Sequence, residues 1–144
     1  MARYITSVRT PLRAGDAFAL VADLQNLPDW DPGVADAEQI VGIGPGPDSV
    51  YAVELSSGMD LRYETIAFEG PRSVILEART RWFSSTDIIS ARPLGEGSVV
   101  TYDATLSLNG IARLGDPFLR LAFGRIGDRA AAGLRSMLDG EFVT

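Results

Sequence analysis

The middle of the chain constrains the fold more than any other part. Between Val34 and Asn109, segments rich in β-branched and aromatic residues alternate with the turn clusters GIGPGPD, SSG, EGPR and LGEG. Connections this short join antiparallel neighbours, whereas parallel strands need a crossover of a dozen or more residues. The predicted strands are 35–41, 49–55, 60–69, 73–81, 84–94 and 98–108. We therefore expect an antiparallel meander.

The last segment alternates most regularly, which predicts one buried and one solvated face. The apolar parity holds Tyr102, Ala104, Leu106 and Leu108, and the polar parity holds Thr101, Asp103, Thr105 and Ser107. A sheet with such a face needs a covering layer, and helices are the usual cover in α+β domains.

Helical patterns lie at both ends of the meander. After an opening strand at 4–10, Thr10-Pro11 is a helix-start signal, and a short amphipathic helix is predicted to about Leu24. The NLPDWDPG corner then ends it. A long helix is predicted at 116–139, and one side of its helical wheel collects Leu119, Ala122, Phe123, Ile126, Ala130, Gly133 and Met137. The prediction is a single α+β domain over residues 1–144.

Composition excludes much chemistry. All 13 basic residues are arginine, and the chain has no Lys, His or Cys. Disulfides, Ser-His-Asp triads, zinc fingers and Schiff-base lysines are therefore excluded, and we expect no metal and no cofactor. The net charge of -6 argues against nucleic-acid binding. No apolar run approaches the roughly 18 residues of a membrane span, so a cytoplasmic protein without stable membrane insertion is expected.

Several motifs resemble one superfamily in sequence order. They are VRTPLRAGDAFALVADLQNLPDWDPGV near the N-terminus, the E-x-x-x-x-E-G-P-R turn from Glu64 to Arg72, the GEGSVVTYDATL strand, and L-x-G-x-x-R-L-x-x-P from Leu108 to Pro117. Together they resemble the SRPBCC superfamily, also called START-like or helix-grip proteins, in its polyketide cyclase/dehydrase and lipid-transport branch. The resemblance spans nearly the whole chain.

The resemblance implies a helix-grip fold: a curved antiparallel sheet of about seven strands wrapped around a long C-terminal helix, with an apolar cavity between them. Members bind lipids, sterols, polyketides or hormones, and some catalyse cyclisation or dehydration. The residues expected to contact such a ligand are Trp30, Tyr51, Val53, Tyr63, Trp82, Tyr102, Ala104, Leu106, Leu119, Phe123 and Ile126. The alternative is a solid core, in which the same residues pack against each other.

Polar candidates within this set have two interpretations each. A buried phenol needs a hydrogen-bond partner, so Tyr51, Tyr63 and Tyr102 indicate polar points in an apolar wall, unless they donate outward to water. For acid–base chemistry the sheet carboxyls Glu54 and Glu64 are candidates, although both can face solvent.

The stretch ARTRWFSSTDI combines charge and aromatic residues. An exposed charge set of Arg79, Arg81 and Asp87 is favoured, and the alternative places Arg81 or Asp87 at the cavity mouth. Trp82 and Phe83 are expected to point to opposite faces. An exposed aromatic there would suit passage of a ligand or membrane contact.

Glycines at 124, 127 and 133 interrupt the long helix, and each is disfavoured by roughly 1 kcal/mol relative to Ala. Close approach of the helix to the sheet is expected at Gly133; a helix softened for cavity opening is the alternative. For Trp30, a clamp at the corner is favoured over a ligand-contacting wall.

A carrier or sensor of a small hydrophobic molecule is the favoured function. A cyclase/dehydratase acting on a polyketide-like substrate ranks second, and a protein-interaction or regulatory module third. The expected partner is a small hydrophobic molecule, and a homodimer is left open.

Overall fold

The computed structural model describes residues 1–143, which form eight strands and three helices. The strands are β1 (Ala2–Thr10), β2 (Val34–Val41), β3 (Val50–Leu55), β4 (Asp60–Glu69), β5 (Ser73–Arg79), β6 (Phe83–Leu94), β7 (Gly97–Leu108) and β8 (Glu141–Phe142). The helices are α1 (Ala14–Ala22), α2 (Leu27–Trp30) and α3 (Asp116–Met137), with 3₁₀ turns at Leu24–Asn26 and Gly110–Gly115.

The strands form one antiparallel sheet in the order β2-β3-β4-β5-β6-β7-β1-β8. The antiparallel meander is confirmed, and every predicted strand of the meander ends within two residues of the observed one. The sheet has one strand more than the predicted seven. That strand, β8, has only two residues, which pair with Val8 and Arg9 of β1. A segment of two residues is too short to show the alternation of apolar and polar side chains that predicts a strand.

The long helix is held against the sheet by its C-terminal half. Ala131 and Leu134 are buried there, Leu138 is buried directly after the last helical residue, and α1 covers β6 and β7 beside them. The hydroxyl of Thr10 donates to the carbonyl oxygen of Leu138 at 2.7 Å, which joins the end of β1 to the end of α3. This helix on the inner face of the curved sheet is the predicted helix-grip arrangement.

The buried stripe of α3 lies one position away from the apolar side of the helical wheel. Gly127, Ala131 and Leu134 are buried, whereas Ala122 is exposed and Ile126 is 52% exposed. The helical wheel placed the large apolar residues of α3 on the buried side. The tightest contacts of the helix are made instead by small residues, because these allow the helix to approach its neighbours closely. A Cβ at Gly127 would collide with the Tyr4 ring.

Gly133 also makes a close contact, although with a different element from the one predicted. Its neighbour is the backbone of Trp30 at the end of α2, not the sheet. Gly124, in contrast, has no neighbouring atom within 4 Å of an added Cβ. The three glycines of α3 therefore lie in three different environments.

The N-terminal half of α3 and the turn before it present large apolar side chains to solvent. Phe118 is 79% exposed, and Ile111, Leu114 and Leu121 are exposed to a similar degree. Among residues 1–143, no helix is long and apolar enough to cross a membrane.

Candidate functional site

A cavity of about 140 Å³ separates part of α3 from the inner face of the sheet. Its sheet side is formed by Tyr4, Thr6, Tyr63, Ser85, Asp87, Tyr102 and Ala104. Its helix side is formed by Phe123, Ile126, Gly127, Ala130, Ala131 and Leu134, and the corner after α2 adds Trp30 and Asp31. For comparison, an engineered apolar cavity of about 150 Å³ binds benzene.

Strand parity places the polar groups of β6 in this cavity. Ser85 and Asp87 share their face with Ile89 and Ala91, which continue the same row into the core. The inward residue of β5 paired with Ser85 is Ala78, whose small side chain leaves room above β5. The Tyr63 side chain of β4 therefore reaches across β5 to β6.

These polar side chains form one hydrogen-bonded chain. The Tyr63 hydroxyl donates to Ser85 Oγ at 3.1 Å, and Ser85 Oγ is 3.4 Å from Asp87 Oδ1, a long contact. The Tyr102 hydroxyl donates to Asp87 Oδ2 at 2.5 Å, within the range of charge-assisted O–H···O bonds. Asp87 is thus the acceptor on which the chain converges.

Burial controls the protonation of the two cavity carboxyls. It raises the pKa of Asp87 to about 6, against the hydrogen bonds from Tyr102 and Ser85, which favour the ionised form. Burial also raises the pKa of Asp31, although the Gly33 backbone N–H donates to its Oδ1 at 2.9 Å. Acids with raised pKa values in a cavity are candidates for acid–base or binding roles.

The phenols at the cavity keep their protons. Burial, followed by the negative charge of Asp87, raises the pKa of both Tyr63 and Tyr102. Burial and a 2.6 Å hydrogen bond to Asp128 raise the pKa of Tyr4 to about 12. Near neutral pH the tyrosines therefore act as neutral hydrogen-bond donors.

Trp30 belongs to two contacts at once. Its side chain is 5% exposed, and its ring meets that of Tyr102 edge-on with centroids 5.3 Å apart in the cavity wall. Its backbone lies against Gly133 of α3. Within the described residues its Nε1 makes no hydrogen bond. Both the clamp and the wall are compatible with this placement.

The cavity gathers some of the predicted contact residues and not others. It is lined by Trp30, Tyr63, Tyr102, Ala104, Phe123 and Ile126. Five predicted residues lie outside the lining: Tyr51 and Val53 in the core, Leu106 and Leu119 half-buried, and Trp82 in the exposed β5–β6 turn. In that turn the Arg81 guanidinium stacks 5.0 Å from the Trp82 ring centroid.

The favoured interpretation of Asp87 as an exposed charge is wrong, since the residue is only 7% exposed. Arg79 and Arg81 are exposed, as are Glu54 and Glu64 on the outer face. The SSTD run has no alternation of its own, but Asp87 shares its parity with buried Ile89 and Ala91, and that signal was available in the sequence.

Seven further residues that line the cavity were not expected. Three of them lie on α3, each one position away from the predicted helix face: Gly127, Ala131 and Leu134. The other four lie on the sheet and at the corner. Ser85 has the parity of Asp87, and Asp31 follows Trp30 directly. Tyr4 and Thr6 come from β1, whose pairing with β7 brings the chain's first strand beside the site. Long-range pairing of that kind leaves no local trace in the sequence.

Comparison with known proteins agrees with this architecture. The family described as polyketide cyclase / dehydrase and lipid transport matches residues 1–139. A START superfamily protein from Mycobacterium smegmatis superposes with a TM-score of 0.73 at 14% identity, covering 96% of this chain and 98% of that one. XoxI from Bacillus cereus gives 0.69 at 18% identity and 96% coverage of both chains.

A third solved structure is the di-domain ARO/CYC StfQ from the steffimycin biosynthetic pathway. It gives a TM-score of 0.69 at 11% identity, and the match covers 96% of this chain and 51% of that one. No functionally curated protein matches the sequence. The structural likenesses establish the fold, and the family match extends over almost the entire sequence: the chain belongs to the polyketide cyclase/dehydrase and lipid transport family.

Proposed function

We propose that the protein binds a small, largely apolar ligand between the sheet and α3, as a carrier or sensor. The observation that carries this proposal is the cavity itself, with aromatic and aliphatic walls and a few fixed polar groups at one end. Sites for small molecules are commonly built in this way. The family description supports a ligand of the polyketide or lipid type.

The size of the cavity restricts the enclosed part of the ligand. Its 140 Å³ is below the roughly 300–1,000 Å³ of sites that enclose drug-sized molecules. A single ring or a short chain fits inside. The remainder of a larger ligand would leave past Ile126, which lines the cavity and is half exposed.

A ligand panel tests the proposal. Thermal unfolding with 2-naphthol, oleate and cholesterol, together with native mass spectrometry, is expected to identify at least one compound that stabilises the fold. At a free ligand concentration of about 100 times Kd, binding should raise the free energy of unfolding by about 2.7 kcal/mol. Ala130→Leu, which places three added carbons and their hydrogens at the cavity wall, should weaken binding. Ala122→Leu adds the same atoms on the exposed face and should not.

Failure of every compound to bind or stabilise would contradict the proposal. Equal loss of binding in the two leucine variants would place the ligand elsewhere on the protein.

Trp30→Phe should affect stability and binding together. We expect a loss of about 1–2 kcal/mol in the free energy of unfolding, less than the 3–5 kcal/mol typical of Trp→Ala, because the packing against Tyr102 is partly kept. Affinity for the ligand found in the panel should also fall. Urea unfolding and titration calorimetry measure the two effects separately, and an unchanged affinity would leave Trp30 as a clamp alone.

The buried carboxyl of Asp87 favours a second candidate function, that of a dehydratase-type enzyme. A carboxyl with a pKa of about 6 is suited to proton transfer near neutral pH. Ionised Asp87 would take the α-proton of a β-hydroxy ketone and return it to the β-hydroxyl, which leaves as water while the C=C bond forms.

The probe for this candidate is 4-hydroxy-4-phenylbutan-2-one, whose enone product absorbs in the near ultraviolet. Turnover that Asp87→Asn abolishes and Glu54→Gln retains would support the enzyme. No turnover by the wild-type protein at any pH between 5 and 8 would reject this reaction. The cytoplasmic location, the homodimer, the interaction module and the absence of nucleic-acid binding stay predictions.

A further inference from the structure

We propose that the ligand of this cavity is a hydrophobic amine, held as its ammonium ion between the carboxyls of Asp87 and Asp31 and the surrounding aromatic rings. The inference rests on the proposed binding function and specifies the chemical class of the ligand.

The side chains that line the cavity carry negative groups without positive ones. Its lining includes two carboxyls and, within residues 1–143, no arginine, although the chain has 13 of them. The ion pairs of the protein lie elsewhere, for example Arg3 with Asp103 and Arg62 with Glu64. Buried charges are normally paired with an opposite charge. Among residues 1–143, the ionised form of Asp87 has no such partner.

Electrostatics therefore discriminates between ligand classes. A carboxylate or phosphate ligand would add a third negative group beside Asp31 and Asp87 in a poorly solvated space. An ammonium group favours the ionised form of the same carboxyls and satisfies their remaining acceptor sites. Neutral molecules gain neither effect, so the expected order of affinity is amine, then alcohol, then acid.

The cavity walls are rich in aromatic rings. The rings of Trp30, Tyr63, Tyr102 and Phe123 all line the cavity, and aromatic faces attract cations. With a volume of 140 Å³, the cavity suits an amine with one aromatic ring and a short linker. The acids orient the ammonium end, and the rings and Ile126 cover the hydrocarbon end.

The surroundings of Asp87 define how its titration affects binding. Tyr102 on β7, Ser85 on β6 and Tyr63 on β4 form the hydrogen-bonded chain with it, and Asp31 and Asp103 add negative charge nearby. From α3 the lining side chains are apolar, and Tyr4 on β1 is a neutral phenol bonded to Asp128. Asp87, whose pKa is raised to about 6, is therefore the cavity group expected to change charge between pH 5 and 8. Burial also raises the pKa of Asp31.

Three compounds of nearly equal shape test the inference: 2-phenylethylamine, 2-phenylethanol and phenylacetate. Calorimetry at pH 7.5 and constant ionic strength should show the amine binding at least tenfold more tightly than the alcohol, and phenylacetate most weakly. Between pH 7.5 and pH 5 the affinity for the amine should fall about tenfold, because the carboxyl becomes protonated around pH 6. Affinity for the alcohol should change little.

Asp87→Asn should remove the preference for the amine over the alcohol while retaining binding of the alcohol. Asp31→Asn should reduce the preference, and Glu54→Gln, on the outer face, should leave it unchanged. If Asp87→Asn does not fold by circular dichroism, Asp31→Asn and the wild-type pH series decide the question.

Alcohol or phenylacetate binding as tightly as the amine would overturn the inference and leave the proposed binding function intact. Binding of 2-naphthol without binding of the amine would have the same consequence. Failure of all of these compounds and of the lipid panel would instead reject the binding function itself.

Discussion

Replacing Gly133 by alanine is expected to lower the free energy of unfolding by about 3 kcal/mol, the upper part of the range for overpacking a well-packed contact. The added Cβ would collide with the carbonyl oxygen of Trp30, and its next neighbours are the carbonyl carbon and Cα of the same residue. All three are backbone atoms, so no side-chain rotation relieves the clash. Either α2 or α3 must move.

Gly124→Ala is the matched control on the same helix. An added Cβ there has no neighbour within 4 Å, so only the intrinsic helical preference for alanine over glycine changes, worth up to about 1 kcal/mol in favour of the folded state. Urea unfolding of both variants should give shifts of opposite sign. A stabilised Gly133→Ala variant would show that α2 and α3 do not make this close contact.

The same contact connects stability with the site. Gly133 holds α3 against α2 at the backbone of Trp30, and the Trp30 ring continues into the cavity wall beside Tyr102. Just beyond Gly133, the end of the helix is anchored by buried Leu134 and Leu138 and by the Thr10 hydrogen bond. A displaced α2 should therefore weaken ligand binding as well as the fold. Hydrogen exchange between Gly124 and Gly133 would also test the alternative of a softened helix.

The sheet was predictable because its information is local. Alternation of the kind seen at Tyr102, Ala104 and Leu106 fixes which side chains face inward, and short turns fix antiparallel pairing. The position of β1 beside β7 and the two-residue β8 depend on contacts between distant parts of the chain. Those contacts have no sequence period.

The site was predictable only in part, because burial along one strand face does not say where the core is open. Tyr51 and Val53 face inward as expected, but the 3₁₀ turn at Leu24–Asn26 contacts β3 and both side chains belong to the core rather than to the cavity. Asp87 shows the opposite error. Because Asp87 is charged, it was expected to be exposed to solvent. It is buried because it points to the same face of β6 as Ile89.

The buried carboxyl of Asp87 predicts an unusual dependence of stability on pH. Its pKa is raised from 3.8 to about 6 in the folded protein. Between these values the folded state binds more protons than the unfolded state, so this group's contribution to the free energy of unfolding falls as pH rises. The contribution is fully present below pH 4 and is lost above pH 6, a change of about 3 kcal/mol at about 1.4 kcal/mol per unit.

Comparison with Asp87→Asn isolates this contribution from that of the other carboxyls. The amide can still accept the Tyr102 hydrogen bond but carries no charge at any pH, so relative to wild type the variant should gain about 3 kcal/mol of stability between pH 4 and pH 7. Urea unfolding at constant ionic strength measures the difference, with Glu54→Gln on the outer face as the control. Parallel stability curves for wild type and Asp87→Asn would mean that Asp87 is solvated in the folded protein. In that case the electrostatic basis for recognising an amine would also be lost, because a solvated carboxylate needs no cation to compensate its charge.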